Sequence, residues 1–317
     1  MTFSLKVKDE LAKVMPGARH CQIAELAAII GMCGRIYTSR FRRQYLRVTA
    51  ENRNVVAKCQ LLIKKAFGYD ADVTVRYNID SKNRIYIMSV MDSDIATKIL
   101  LATKVMGQDG SINRDLSLVS TVSVQNMCCK RAFLRGAFLA GGSISDPEKS
   151  YHFEIVSSGE RKANQVLEAV NAFELDGRIV ERRRYYVVYL KESAHIVDML
   201  NVIGAHVSLM DLENVRILKE IGNSINRQVN CEVANKGKTI NAAHKQIEDI
   251  HCIMDSVGLD SLSEQLEEIA RVRLEFPDIS LKDLGEKLSP PVGKSGVNHR
   301  LRKISQIADE IREKKTV

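Results

Sequence analysis

LRGAFLAGG, residues Leu134 to Gly142, sits inside Lys130–Ser145, KRAFLRGAFLAGGSIS. Gly136 and Ala140 lie four apart, as do Ala137 and Gly141, so a helix stacks small residues on one face. A face without bulk lets a second helix come unusually close. The Gly141-Gly142 pair is expected to end the helix, because glycine favours the left-handed turn past a C-terminus. A counterpart stands 108 residues upstream in Leu26–Gly34, LAAIIGMCG, with Ala24 and Ala28, Ala27 and Gly31 at the same spacing and Gly34 at its close. Two such helices predict a duplicated unit packed through them. Two ordinary Ala/Gly-rich core helices are the alternative.

The flanking pattern supports duplication. An amphipathic helix over Ser4–Met15 stops at Pro16-Gly17, and His20–Cys33 is the first small-faced helix. GRIYTSRFRRQYLRVTA follows, with strand formers Ile36, Tyr37, Tyr45, Leu46 and Val48 in a hairpin. Asn54–Phe67 is helical, Ala71–Tyr77 and Arg84–Val90 pair as strands around Asp80, Lys82 and Asn83, and Asp92 or Ser93 caps a helix to Lys104. The order then returns: helix 130–140, strands at Ser143–Ser145 and Tyr151–Ser157, helix Glu160–Phe173, strands Arg178–Arg182 and Tyr185–Leu190, helix Lys191–Ile203. RIYIM from Arg84 answers RYYVV from Arg184, and Phe67 answers Phe173. Each copy reads αββαββα, with one sheet face on its helices and the other open.

Both small-faced stretches resemble the LAGLIDADG helix of homing endonucleases, in which two such helices cross at the centre of a pseudo-twofold fold. The penultimate motif position there carries the acid that binds the catalytic metal; here those positions are Cys33 and Gly141. From about Val7 onward the chain is similar to the WhiA family, bacterial regulators with a degenerate homing-endonuclease fold plus a helix-turn-helix, most specifically at GGSISDPEKSYHFEIVSS and KSGVNHRLRKI. The resemblance implies an α+β fold: a pseudo-twofold duplicated LAGLIDADG-like domain over 1–224, with copies at about 18–110 and 127–222, and an all-α helix-turn-helix domain over 259–317. Between them, 225–258 reads as a helical linker or a packed extension of the first domain. Asn230–Lys238, with Gly237 as breaker, is expected to interrupt two helices, His206–Val229 and Thr239–Val257.

Apolar residues make up 45% and charged residues 27% of the 317, a globular balance, and no apolar run approaches a membrane span. MTFSLKVKDELAKV lacks the apolar core of a signal peptide, so a cytoplasmic, nucleoid-associated protein without membrane contact is expected. The cysteines are Cys21, Cys33, Cys59, Cys128, Cys129, Cys231 and Cys252; no CxxC occurs, so neither a disulfide framework nor a zinc site is indicated. Adjacent Cys128-Cys129 read as small buried fillers. A net charge of +8 favours a polyanionic partner. Its excess lies upstream, since the chain from Asp260 carries 11 basic and 11 acidic residues.

The tail reads as three helices. Leu262–Phe276 ends at Pro277, Ser280 caps LKDLGEKL with Asp283 completing a capping-box pattern, Ser289–Gly293 is the turn, and Lys294–Ile311 is the third helix. In that helix Val297, Leu301, Ile304 and Ala308 form an inward face, opposite Ser295, His299, Arg302, Lys303 and Gln306, with Asn298 and Arg300 beside them. From Lys287 to Ala308 there are five basic residues and no acid. This matches a helix-turn-helix reader. Arg302 and Lys303 suit guanine edges, Asn298 an adenine edge, and Lys294 and Arg300 phosphates. A solvated basic face is the plainer alternative, and the Pro290-Pro291 turn is longer than such motifs usually carry. A second candidate is Arg35, Arg40, Arg42, Arg43 and Arg47, with no acid until Glu51. On an open sheet face it would follow a DNA backbone. Asp146, Glu148, His152 and Glu154 at the matching place in the second copy argue for an acidic half, which leaves a protein interface or a plain surface hairpin open.

Metal-assisted phosphodiester cleavage needs carboxylates around divalent ions. Cys33 is a poor magnesium ligand and Gly141 has no side chain; Glu25 and Asp146 lie at the wrong end or beyond the helix. No catalytic residue, metal or cofactor is therefore expected. The expected function is sequence-specific binding of double-stranded DNA by a monomer, for transcriptional control tied, through the family resemblance, to cell division, chromosome segregation and, in some lineages, sporulation. RNA polymerase or another regulator is a further candidate partner. An active homing endonuclease or RNA maturase, and a protein-interaction scaffold, are the rivals.

Overall fold

The computed structural model describes residues 2–41, 43–78, 83–112 and 125–315. The chain divides into two compact units, Met1–Lys219 and Glu220–Val317. In the first, α1 (Phe3–Lys13) is followed by α2 (Arg19–Cys33), β1 (Gly34–Thr38), β2 (Gln44–Ala50), α3 (Arg53–Phe67), β3 (Asp72–Asn78), β4 (Asn83–Val90) and α4 (Ser93–Ala102). The second copy repeats this with α5 (Met127–Gly141), β5 (Gly142–Ile144), β6 (Phe153–Ser157), α6 (Glu160–Asn171), β7 (Arg178–Arg182), β8 (Tyr185–Leu190) and α7 (Ser193–Ile203). The antiparallel sheets run β1-β2-β4-β3 and β5-β6-β8-β7, the same order twice. Helices α2 and α5 both have 15 residues and both start and end 108 apart. The α+β fold with a duplicated αββαββα unit is what the sequence implied.

Helices α2 and α5 are central. In α2 every residue from Ala24 to Gly31 is buried, as a helix apolar around its circumference must be. The small residues set how closely the pair packs. A Cβ on Gly136 would collide with the Glu25 carbonyl oxygen and sit 3.0 Å from Ala28 Cβ. The expected left-handed stop at Gly141-Gly142 is not what forms. Gly142 is extended, at φ −85° and ψ 153°, and the chain enters β5 directly. These glycines serve close approach instead: a Cβ on Gly141 would lie 2.6 Å from the Val156 carbonyl oxygen, and one on Gly142 2.6 Å from that of Phe138.

Deep between the copies, Glu25 meets Lys58 Nζ at 3.2 Å and Arg135 Nε at 3.2 Å, and Arg135 also donates to the Ile203 carbonyl at 3.0 Å. Burial pushes the Glu25 carboxyl up and the Lys58 ammonium down, while each charge pulls the other back. Asp92 caps α4 by accepting from the Asp94 and Ile95 amides.

The expected break at Asn230–Lys238 is absent: α8 is a single helix, His206–Ser256. Its N-terminus is held by Glu10, which accepts from the Val207 and Ser208 amides at 2.7 and 2.9 Å. Gly237 has nothing within 4 Å of a would-be Cβ, so it costs the helix only about 1 kcal/mol of propensity. The linker reading also changes. Ile250 and Ile253, on the last turns of α8, are fully buried in the same cluster as Leu266, Ile269, Leu284 and Leu301, so this end of the helix belongs to the second unit's core.

Candidate nucleic-acid interface

The second unit continues with α9 (Glu264–Glu275), α10 (Leu281–Glu286) and α11 (Lys294–Lys315). Ser280 Oγ accepts from the Asp283 amide at 3.3 Å and donates to its carboxylate at 2.8 Å, so this candidate is occupied as a helix cap. Gly285 sets the turn geometry. A Cβ there would run into the Val292 carbonyl oxygen and lie 3.0 Å from Val297 Cγ2, and the Val292 amide donates to the Gly285 carbonyl at 3.0 Å. Arg273 is buried and ties the assembly to α8. Its guanidinium donates to Gln246 Oε1 at 2.9 and 3.0 Å and to the Ile279 carbonyl at 2.9 Å, and burial lowers its pKa.

Val297, Leu301, Ile304 and Ala308 are at most 1% exposed, which orients α11 and leaves Ser295, His299, Arg302 and Lys303 in solvent. Asn298 is half-buried at the edge of that face. Arg300 does not share it. At 100° per residue it lies on the flank next to the buried stripe, and its Nη1 is 3.9 Å from the Glu268 carboxylate of α9. Lys294 stands apart as well, in a groove with Ser280, Lys282 and, from α8, Lys238 and Thr239. Lys238 and Lys282 are basic residues that the sequence reading passed over, because Lys238 lay in the expected helix break.

In the first sheet, buried Leu46 and Val48 alternate with half-buried Tyr45 and Arg47, so Arg47 points to the face away from the helices. The register pairs Arg35 with Arg47 and Tyr37 with Tyr45, and the Arg47 guanidinium lies 5.0 Å from the Tyr37 ring. Arg76 falls on the same face of β3 by register. Arg40 and Arg43 are exposed in the connecting loop, where Ser39 Oγ accepts from the Phe41 and Arg43 amides. Phe41 is 87% exposed between them. Arg42 lies outside the described residues. The acidic second half needs correcting: β7 brings Arg182 to 3.5 Å from the Glu154 carboxylate, which His152 also meets at 3.2 Å. Arg178 shares that face by register, and Arg183 and Arg184 form the β7–β8 turn.

Where the resemblance puts the catalytic acids, at the C-terminal end of α2 and α5, the surroundings are cationic. Burial pushes the Cys33 thiol up to about 12, with Lys8 and Lys162 close enough to pull it back. Two ammonium groups beside a neutral thiol repel a divalent ion.

Three family models match: the WhiA N-terminal LAGLIDADG-like domain on residues 19–106, the WhiA LAGLIDADG-like domain on 130–222, and the WhiA C-terminal HTH domain on 225–308. The chain is 48% identical over 313 residues to the probable cell division protein WhiA of Lachnoclostridium phytofermentans, covering 99% of this chain and 100% of that one. The chain belongs to the WhiA family. A second family member, from Alkaliphilus oremlandii, is 47% identical over 318 residues with 99% of each chain covered. The crystal structure of full-length WhiA from Thermatoga maritima is similar at TM-score 0.60 and 25% identity, covering 98% of this chain and 99% of that one. The family's HTH match starts at residue 225, so it takes in the part of α8 that carries Lys238, Gln246 and Ile250. Among the described residues no helix is long and apolar enough to cross a membrane.

Proposed function

We propose that this chain is a sequence-specific double-stranded-DNA-binding regulator without nuclease activity, acting on the nucleoid in the control of cell division. The relatives named as cell division proteins support the process. Chromosome segregation and, in some lineages, sporulation come from the family resemblance. The tail, 259–317, reads bases through Ser295, Asn298, His299, Arg302 and Lys303. Lys294 and the Arg40, Arg43 and Arg47 patch of the 1–224 domain sit on phosphates, or meet RNA polymerase or another regulator. The carrying observation is the exposed basic face of α11 opposite a buried apolar stripe, within the segment that matches an HTH family model.

Full-length chain retained on genomic fragments at two salt concentrations, beside Arg302→Ala, tests this. Preference for particular fragments that Arg302→Ala loses supports base readout. Binding that is indifferent to salt and to fragment refutes it in favour of a protein scaffold.

A further inference from the structure

The N-terminal ends of α2 and α5 carry a cluster that the DNA-binding face does not use, although Cys21 and Cys129 also pack with Ala24 and Ala132 in a small buried group. His20, Cys21, Cys128 and Cys129 place their ligand atoms within 4.8 Å of one another. His20 Nδ1 lies 3.1 Å from Cys129 Sγ and 3.4 Å from Cys21 Sγ. Cys21 and Cys129 are buried, and His20 and Cys128 are exposed, so the cluster is anchored in the core and open to solvent on one side. The reading of Cys128-Cys129 as buried fillers therefore fails for Cys128. The duplication explains the geometry: His20 corresponds to Cys128 and Cys21 to Cys129 at the same 108-residue offset that relates the two helices. All four sit in the first turn of their helices. Spacing along the chain could not reveal them, since the two halves come from different copies.

We propose that these four residues form a tetrahedral Cys3His zinc site that clasps the two copies together. Three sulfurs and one imidazole nitrogen are the usual donors of a closed structural zinc site, and too soft for magnesium or calcium. A zinc tetrahedron with such ligands has donor-to-donor edges of about 3.4–3.8 Å. The existing separations reach that with side-chain shifts under about 1 Å. Neither helix has a side-chain cap at its N-terminus, and both positive dipole ends favour thiolates there. Binding replaces three S–H bonds with three Zn–S bonds and releases three protons to solvent.

The test uses full-length chain purified under reducing conditions. Elemental analysis is expected to give about one zinc per chain. That zinc is lost in Cys21→Ser/Cys129→Ser and kept in Cys231→Ser, whose cysteine is exposed on α8. Should the double variant not fold, cobalt titration of the chelator-treated wild type decides. Thiolate-to-cobalt charge transfer with intense tetrahedral visible bands saturating near one equivalent supports the site. Zinc-free chain that takes up no cobalt overturns it. So does zinc that persists in a folded double variant.

Discussion

Replacing Gly136 by alanine tests the central helix contact most directly, because two opposing effects can be weighed from the structure. In any helix Gly→Ala gains about 1 kcal/mol of propensity. At Gly136 the added Cβ overlaps the Glu25 carbonyl oxygen, lies 3.2 Å from its carbon and 3.0 Å from Ala28 Cβ. Backbone cannot swing aside as a long side chain can, so α2 and α5 must separate. Overpacking of a close-packed core costs about 1–3 kcal/mol, and a clash with backbone belongs in the upper part of that range, about 2–3 kcal/mol, which exceeds the propensity gain. A net loss of about 1–2 kcal/mol corresponds to a fall in melting temperature of roughly 2–8 °C for a unit of this size. The control is Gly222→Ala on α8, where nothing lies within 4 Å of the new methyl and propensity alone should hold or raise stability. Thermal unfolding followed by circular dichroism reads both. If Gly136→Ala melts at or above the wild type, in step with Gly222→Ala, close packing of the small-residue faces is not what holds the copies together.

Glu25→Ala leaves Lys58 and Arg135 buried without their anion and should cost about 3–5 kcal/mol in urea unfolding, part of it recovered by adding Lys58→Met. Installing acids at both motif positions, Cys33→Asp with Gly141→Asp, should destabilise the chain and yield no magnesium-dependent cutting of random-sequence DNA, because a side chain at 141 meets the Val156 carbonyl at 2.6 Å and Lys8 and Lys162 face the site; reproducible cleavage contradicts this. Lys294→Ala should weaken binding to all DNA sequences alike and lower the salt slope by about one, while leaving fragment preference intact.

Much of this architecture is legible in the chain because short-range rules decide it. Small residues at steps of four mark α2 and α5, alternation marks the hairpins, and Val297, Leu301, Ile304 and Ala308 orient α11. What escaped depends on partners distant in sequence. A left-handed stop at Gly141-Gly142 is what local glycine preference predicts, yet the carbonyl of Val156, from strand β6 further along the chain, is what forbids a side chain at 141. Asn230 and Gly237 are weak helix formers, but neither cost suffices to break a helix anchored by Glu10 at one end and by Ile250 and Ile253 at the other. Counting charges strand by strand made the second copy look acidic; the register that brings Arg182 against Glu154 reverses that. The contribution of α8 to the second unit is hidden for the same reason, since Arg273 and Gln246 meet only in the folded unit.

The two ends of the α2–α5 pair differ in the metal chemistry they can support, and the duplication explains why both matter. Related positions from the two copies lie at each end. At the C-terminal end they are Cys33, with Lys8 and Lys162 near it, and Gly141; a thiol and a bare glycine offer no hard oxygen ligand for a divalent ion. At the N-terminal end they are His20, Cys21, Cys128 and Cys129, soft donors converging on one point. A Cys3His tetrahedron uses all four positions of zinc and leaves none for substrate or an activated water. A chain loaded in this way would gain stiffness at the centre of its fold without gaining hydrolytic activity. A DNA-binding regulator and a metal clasp are therefore compatible readings of the same helices, and metal content alone would not be a sign of nuclease function.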